Sequence, residues 1–235
     1  MSENIKKITK AFKVDLDSRE NQNIILKSSA RPFNQQAHQV DEVAKKIHEL
    51  IKEAKYSNDG IVLKRNEIKE AFFSPFKPQL KNAQVFLSHS HADKNKALKV
   101  KGYLESKTKH EVFVDSLFWD YKDDVLNKLA EDDDISGIED AFTLILRESL
   151  EYMIKKCPYF VFLQSKNSVS NQGLSRITYS AWIYEELKIA HSISAISESR
   201  PIPMMESMQV FHDISPFLKS FETITLKKLS QQINS

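Results

Sequence analysis

Apolar residues along this chain follow two rhythms. Unbroken short runs occur at Val85-Phe86-Leu87, Val112-Phe113-Val114 and Tyr159-Phe160-Val161-Phe162-Leu163. Each predicts a strand, and the five-residue run has the character of a central strand covered on both faces. Elsewhere the spacing is helical. Val40, Val43, Ala44, Ile47, Leu50, Ile51 and Ala54 recur at three- and four-residue steps, an amphipathic helix over about residues 34–55. Asp93 is placed to cap a helix running through Leu98, Val100 and Leu104, and a further helix is predicted over Ala141–Lys156. Ser180 is a good N-cap for a helix reaching Ile193, whose core stripe is Ile183, Leu187 and Ala190. Pro201–Met205 and Thr223–Leu226 read as two more short strands. Alternating strands and helices predict an α/β fold, an open, mainly parallel sheet of about five strands with helices on both faces.

Punctuation divides the chain. Residues 1–33 hold no sustained period and read as an extended arm. Asn58-Asp59-Gly60 marks a turn, and Pro75 and Pro78 mark a boundary. The expected organisation is a mainly helical N-terminal extension over 1–82 followed by one domain over 83–235. The first part carries 16 Lys+Arg against 11 Asp+Glu, and the second 18 against 21. Neither has a basic stripe interleaved with aromatics, so no nucleic-acid partner is expected. With 41% hydrophobic and 10% aromatic residues among 235, the composition is that of a folded protein. The single Cys157 excludes an intrachain disulfide, fits a reducing compartment and, preceding Pro158 and an apolar run, reads as a buried structural residue. No apolar stretch approaches the roughly 20 residues of a membrane span, and the N-terminus lacks a signal-peptide core, so a cytoplasmic protein without a membrane partner is expected.

Glycine is scarce. The chain holds only four, Gly60, Gly102, Gly137 and Gly173, where average usage of about 7% would give roughly 16. Neither GxGxxG nor GxxxxGK[ST] can be assembled from them, which excludes Rossmann-type cofactor binding and P-loop chemistry at the motif level. A GxSxG elbow is also missing. His89 and His91 lack a third ligand nearby, and no metal is expected. Residues 115–151 carry 12 acidic side chains against 3 basic ones. Asp132, Asp134, Ser136 and Gly137 fit an EF-hand start, but its twelfth position is Thr143, so the segment up to about 140 reads as a solvated loop.

Polar residues follow all three apolar strands: Ser88-His89-Ser90-His91, Asp115-Ser116 and Gln164-Ser165. Open parallel sheets bind ligands outside such carboxyl ends. On the helix after Ser180, at about 100° per residue, Glu185 points away from the core stripe while Glu186 lies at its border. Trp182 stands one turn before Glu186 on the same flank. A large aromatic plane and a partly desolvated carboxylate therefore face one region, a pattern that an exposed Glu beside a packing Trp would also give.

These segments resemble the Toll/interleukin-1 receptor (TIR) domain family. Val85–Lys94 is similar to its first box, Glu111–Asp115 to its second strand with a terminal Asp, and Phe162–Ser165 to its third strand closing on Ser. The family's Ser-x-Trp-x-x-x-Glu-Leu pattern falls on Ser180, Trp182, Glu186 and Leu187. The resemblance covers residues 83–226 and implies a flavodoxin-like sheet. After Asp115 the chain departs from the family: Leu117-Phe118-Trp119-Asp120-Tyr121 and the acidic run replace a short glycine-bearing loop.

The resemblance implies an enzyme that cleaves NAD⁺ at the nicotinamide–ribose bond, consuming it as substrate and using no cofactor. Glu186 is then the catalytic residue, with Ser88, His89, Asp115 and Trp182 around the substrate. The product is ADP-ribose, a cyclic ADP-ribose or a conjugate, according to the acceptor. Bacterial relatives of this kind act in antiphage defence, which implies a downstream effector protein that senses the product. Self-association through TIR contacts is also implied, and the 34–55 helix is a candidate for controlling it. Two other readings stay open: a non-enzymatic TIR interaction module, and an enzyme similar to nucleoside deoxyribosyltransferases.

Overall fold

A computed structural model describes residues 10–30, 36–54, 56–57, 60–61, 63–74, 82–131, 136–172, 175–194 and 211–234. The chain divides into two compact units that are interleaved in sequence. One comprises residues 1–32, 83–115 and 150–235, the other 33–82 and 116–149.

The first unit is built on a five-stranded sheet. Its strands are β1 (Lys10–Asp15), β4 (Ala83–Ser88), β5 (Glu111–Val114), β6 (Tyr159–Gln164) and β10 (Glu222–Thr223), in the spatial order β10-β1-β6-β4-β5. All four pairings are parallel. The α/β class and the parallel sheet follow from the apolar runs, since β4 and β6 are buried through their interiors. In register across three strands, Phe113, Phe86 and Phe160 form a lateral row, with ring centroids 5.3 and 5.7 Å apart. Each such pair adds about 0.5–1.5 kcal/mol beyond its buried area.

Residues 10–15 correct the reading of 1–33 as an arm. β1 lies inside the sheet, paired with β6 over six positions from Lys10↔Tyr159 to Asp15↔Gln164, and with β10 through Phe12↔Glu222 and Lys13↔Thr223. Phe12, Val14 and Leu16 are fully buried. The strand Thr223–Leu226 shrinks to β10, because Leu226 already opens a helix; the strand expected at 201–205 lies outside the described residues.

Helices flank the sheet: α1 (Arg19–Lys27), α4 (Lys94–Thr108), α7 (Ala181–Ser194), α8 (Ser215–Ser220) and α9 (Leu226–Ile233). α1, α4 and α9 pack together, and α7 packs on β1 and α8. One buried amide ties α1 to the end of β1 and to the start of α9. Asn21 Nδ2 donates to the Asp15 carbonyl at 2.7 Å, and its Oδ1 accepts from the Leu226 amide at 2.9 Å. Asn21→Ala strands the Leu226 amide, while the Asp15 carbonyl keeps the Ser18 hydroxyl as a donor at 3.0 Å, and should cost about 1–3 kcal/mol for the one group left unpartnered. Urea denaturation checks this, with Asn21→Asp, which keeps the acceptor, falling between. A small antiparallel sheet is formed by β7 (Ser170–Gln172), β8 (Ser175–Thr178) and β9 (His212–Asp213).

The second unit holds α2 (Gln36–Glu53), the short pair β2 (Tyr56–Ser57) and β3 (Gly60–Ile61), α3 (Arg65–Phe73), α5 (Ser116–Leu129) and α6 (Ser136–Lys156) as far as Ser149. α2 is the amphipathic helix read from the sequence; its stripe, Val40, Val43, Ala44, Ile47 and Ile51, is buried, and the helix packs on α5 and α3. Phe72 is the hub of an aromatic cluster, 4.9–5.2 Å from Phe73, Tyr121 and Phe142. The solvated-loop reading of 115–140 is corrected here. Phe118, Tyr121, Val125 and Leu129 recur at helical spacing and are buried on α5, while the acidic residues Asp123 and Asp124 occupy its exposed side. Residues 132–135 lie outside the described set.

Candidate active site

The carboxyl edge of the sheet gathers four side chains from three elements. Ser88 ends β4 and His89 follows it; Asp115 follows β5; Glu186 comes from the second turn of α7. That helix starts where the sequence places it, since the Ser180 hydroxyl accepts from the Ile183 amide at 3.3 Å. Burial of Ile183, Leu187 and Ala190 then fixes the rotation of α7. Glu186, read as a border residue, turns out to be fully inside, with 2% of its surface exposed. Glu185 is the outer one, 3.7 Å from Lys188.

Ser88 Oγ donates to Glu186 Oε2 at 2.5 Å. His89 Nδ1 comes within 2.8 Å of Asp115 Oδ1, although the ring is turned off the line of a hydrogen bond. Burial and then the like charge of Asp115 push the Glu186 acid well above the ordinary glutamate range, while the Ser88 hydroxyl, which stabilises the carboxylate, pulls it partly back. Glu186 thus sits beside a second carboxyl group in a buried setting that resists its ionisation.

Four buried polar atoms here lack hydrogen-bond partners among the described residues: Nδ1 and Nε2 of His89, Asp115 Oδ1 and Glu186 Oε1. Each such atom is costly inside a protein, so a cluster of them implies a polar ligand. The carboxyl oxygens among them can accept from hydroxyl donors.

Of the residues singled out in the sequence, Ser88, His89, Asp115 and Glu186 come together. Trp182 sits one turn before Glu186 on α7 and is half-buried. His91 is exposed whereas His89 is buried, and among the described residues no cluster of three His, Cys, Asp or Glu is placed to hold a metal. Burial pushes the Cys157 thiol up to about 12, and its Sγ donates to the Ala83 carbonyl at 3.6 Å, as a structural cysteine would. No helix among the described residues is long and apolar enough to cross a membrane.

A second polar knot beside the site had only a weak sequence signal. Asp93 stands at the start of α4 but makes no cap hydrogen bond. Its buried carboxylate instead accepts from Ser165 Oγ and from Asn167 Nδ2 (3.0 Å), with Lys96 Nζ also 3.0 Å away. It joins the loops after β4 and β6, which supports the segment carrying Ser88 and His89. The Ser165-x-Asn167 polarity after an apolar strand was the visible clue; the partner was not.

The chain matches no family model, no curated protein and no solved structure. Its functional reading rests on this geometry and on the residues themselves.

Proposed function

We propose that this is a TIR-type enzyme that cleaves NAD⁺ at the nicotinamide–ribose bond. The observation that carries the reading is Glu186, a buried carboxyl held by Ser88 and set against Asp115 at the carboxyl edge of a parallel sheet. Glycoside hydrolysis ordinarily needs two carboxyl groups because a leaving oxygen must be protonated. Nicotinamide leaves NAD⁺ as a neutral molecule carrying the electron pair of the C1′–N bond, so no acid is needed. One carboxylate can then stabilise the oxocarbenium charge growing at C1′, most effectively where water is excluded.

The cationic substrate itself completes the site. Its pyridinium ribosyl group favours the ionised form of Glu186, and the ribose hydroxyls supply donors for Glu186 Oε1 and Asp115 Oδ1. Trp182 offers an aromatic surface for nicotinamide or ribose. The resemblance to bacterial TIR proteins suggests that the ADP-ribose product, free, cyclised or conjugated, serves as a signal to an effector protein or as a toxic drain in antiphage defence, with self-association shaping the pocket.

The test is incubation with NAD⁺ and chromatography of the products, with and without a phage-derived trigger. Stoichiometric nicotinamide release supports the reading. Base exchange on deoxynucleosides with NAD⁺ untouched would instead favour a deoxyribosyltransferase. Self-association without NAD⁺ loss under either condition would leave an interaction module.

The pH profile gives a second check. Glu186 must lose its proton to act, so kcat/KM should rise with pH along a limb displaced above the ordinary glutamate value of about 4.3. Asp115→Asn removes the like charge and should move that limb down. Ser88→Ala removes the hydroxyl that favours the carboxylate and should move it up. Identical limbs in all three proteins would contradict the assignment.

A further inference from the structure

We infer that His89, held by Asp115, is the general base that takes the proton from the hydroxyl acceptor in the second half of the reaction. The inference rests on the reading of this site as an NAD⁺-cleaving centre and adds the group that handles the incoming nucleophile. Glu186 alone leaves that step incomplete. Once nicotinamide has departed, the acceptor, whether water or a ribose hydroxyl, attacks C1′ through oxygen. A C–O bond forms, and the O–H bond must give up its proton.

His89 has the geometry for this. Its Nδ1 lies 2.8 Å from Asp115 Oδ1, and its Nε2 is buried with no hydrogen-bond partner among the described residues. A carboxyl oxygen beside Nδ1 favours the tautomer with the hydrogen there, leaving Nε2 as the acceptor. The base and its orienting residue are thereby defined, the arrangement that activates nucleophiles on unrelated folds. Misalignment of the Nδ1 contact is usual before substrate binds, and a small rotation of the ring closes it. Asp115 is in this reading a positioning residue with two neighbours: it faces Glu186 on one side and His89 on the other. The proton taken by His89 then passes to solvent as product leaves, so NAD⁺ and an O–H acceptor give nicotinamide, an ADP-ribosyl acetal (from a hydroxyl) or hemiacetal (from water), and one released proton.

A pyridine nucleophile such as 3-acetylpyridine carries no proton to remove, so exchange of nicotinamide for it needs Glu186 but not His89. Wild-type protein, His89→Ala and His89→Asn are compared for hydroxyl transfer, read as ADP-ribose plus cyclic product, and for base exchange, with folding checked by circular dichroism. Loss of the base should lower the ratio of hydroxyl transfer to base exchange by about 30-fold or more, whatever binding His89 also supplies to both reactions. Asp115→Asn should show the same split at smaller amplitude. Equal loss of both reactions in folded variants, or no loss of either, overturns the role of His89 while the NAD⁺-cleaving reading stands. Absence of both reactions from the wild-type protein overturns the two together.

Discussion

Glu186→Gln should abolish NAD⁺ cleavage and at the same time make the protein more stable at neutral pH. Loss of one preorganised charge aimed at a transition state costs about 10²–10³ in rate, and here no other described group takes over the role. Gln keeps the shape, and its Oε1 can still accept from Ser88, so the loss reports on charge. The stability gain has an independent cause. In the folded state the Glu186 acid is raised above its unfolded value, by burial first and by Asp115 second. Its favourable contribution is therefore complete at pH values below the unfolded value and declines as pH rises towards the folded one. Over that interval wild-type stability falls by up to about 1.4 kcal/mol per pH unit. Gln does not titrate, and its amide can donate to Asp115 Oδ1. Thermal melts should show Glu186→Gln above wild type at pH 7 and level with it near pH 4. A variant that is both active and destabilised at pH 7 would refute the charge argument on both counts. Such a trade of stability for function is common where a site holds an electrostatically strained group.

The sequence was most legible where one local pattern decides the outcome. β4, β5 and β6 are unbroken apolar runs, and central parallel strands have no polar face to interrupt them. α7 and α2 carry both a period and, for α7, a cap. Ser88, Asp115 and Glu186 could be named because strand ends and helix borders are local properties. What could not be read was their mutual geometry. Ser88 and Glu186 are 98 residues apart in the chain, and the depth of burial of Glu186 is set by the walls facing it. α5 was missed for a different reason: its acidic excess masked a good helical stripe of Phe118, Tyr121, Val125 and Leu129. β1 was missed because Lys-Ala-Phe-Lys-Val-Asp alternates like a half-exposed edge strand. Lys13 nevertheless finds a place, its Nζ donating to the Leu218 carbonyl at 2.9 Å, so an inner strand tolerates a lysine.

That placement makes β1 an integral strand of the sheet unit, and Phe12→Ala with Leu16→Ala should unfold it. β1 is hydrogen-bonded on both sides, to β6 and to β10. Phe12 and Leu16 are fully buried. Truncating a buried Phe to Ala costs about 3–5 kcal/mol, and a buried Leu about 2–5 kcal/mol. Four residues along a strand separate the two sites by about 13 Å, far enough for the costs to add. Their sum, about 5–10 kcal/mol, is comparable with the whole stability of a typical domain, about 5–15 kcal/mol. Deleting residues 1–32 goes further, removing the strand that separates β10 from β6 together with the Asn21 tie. Circular dichroism and a thermal melt are the measurements, and a truncated protein with a cooperative transition near that of wild type would refute the role of β1. The same reasoning governs any test of self-association through α2. Cutting the chain before residue 80 removes a sheet strand along with the helix, so the informative variants change the exposed residues Asp41, Glu42, Lys45 and Lys46 of α2 and leave β1 in place.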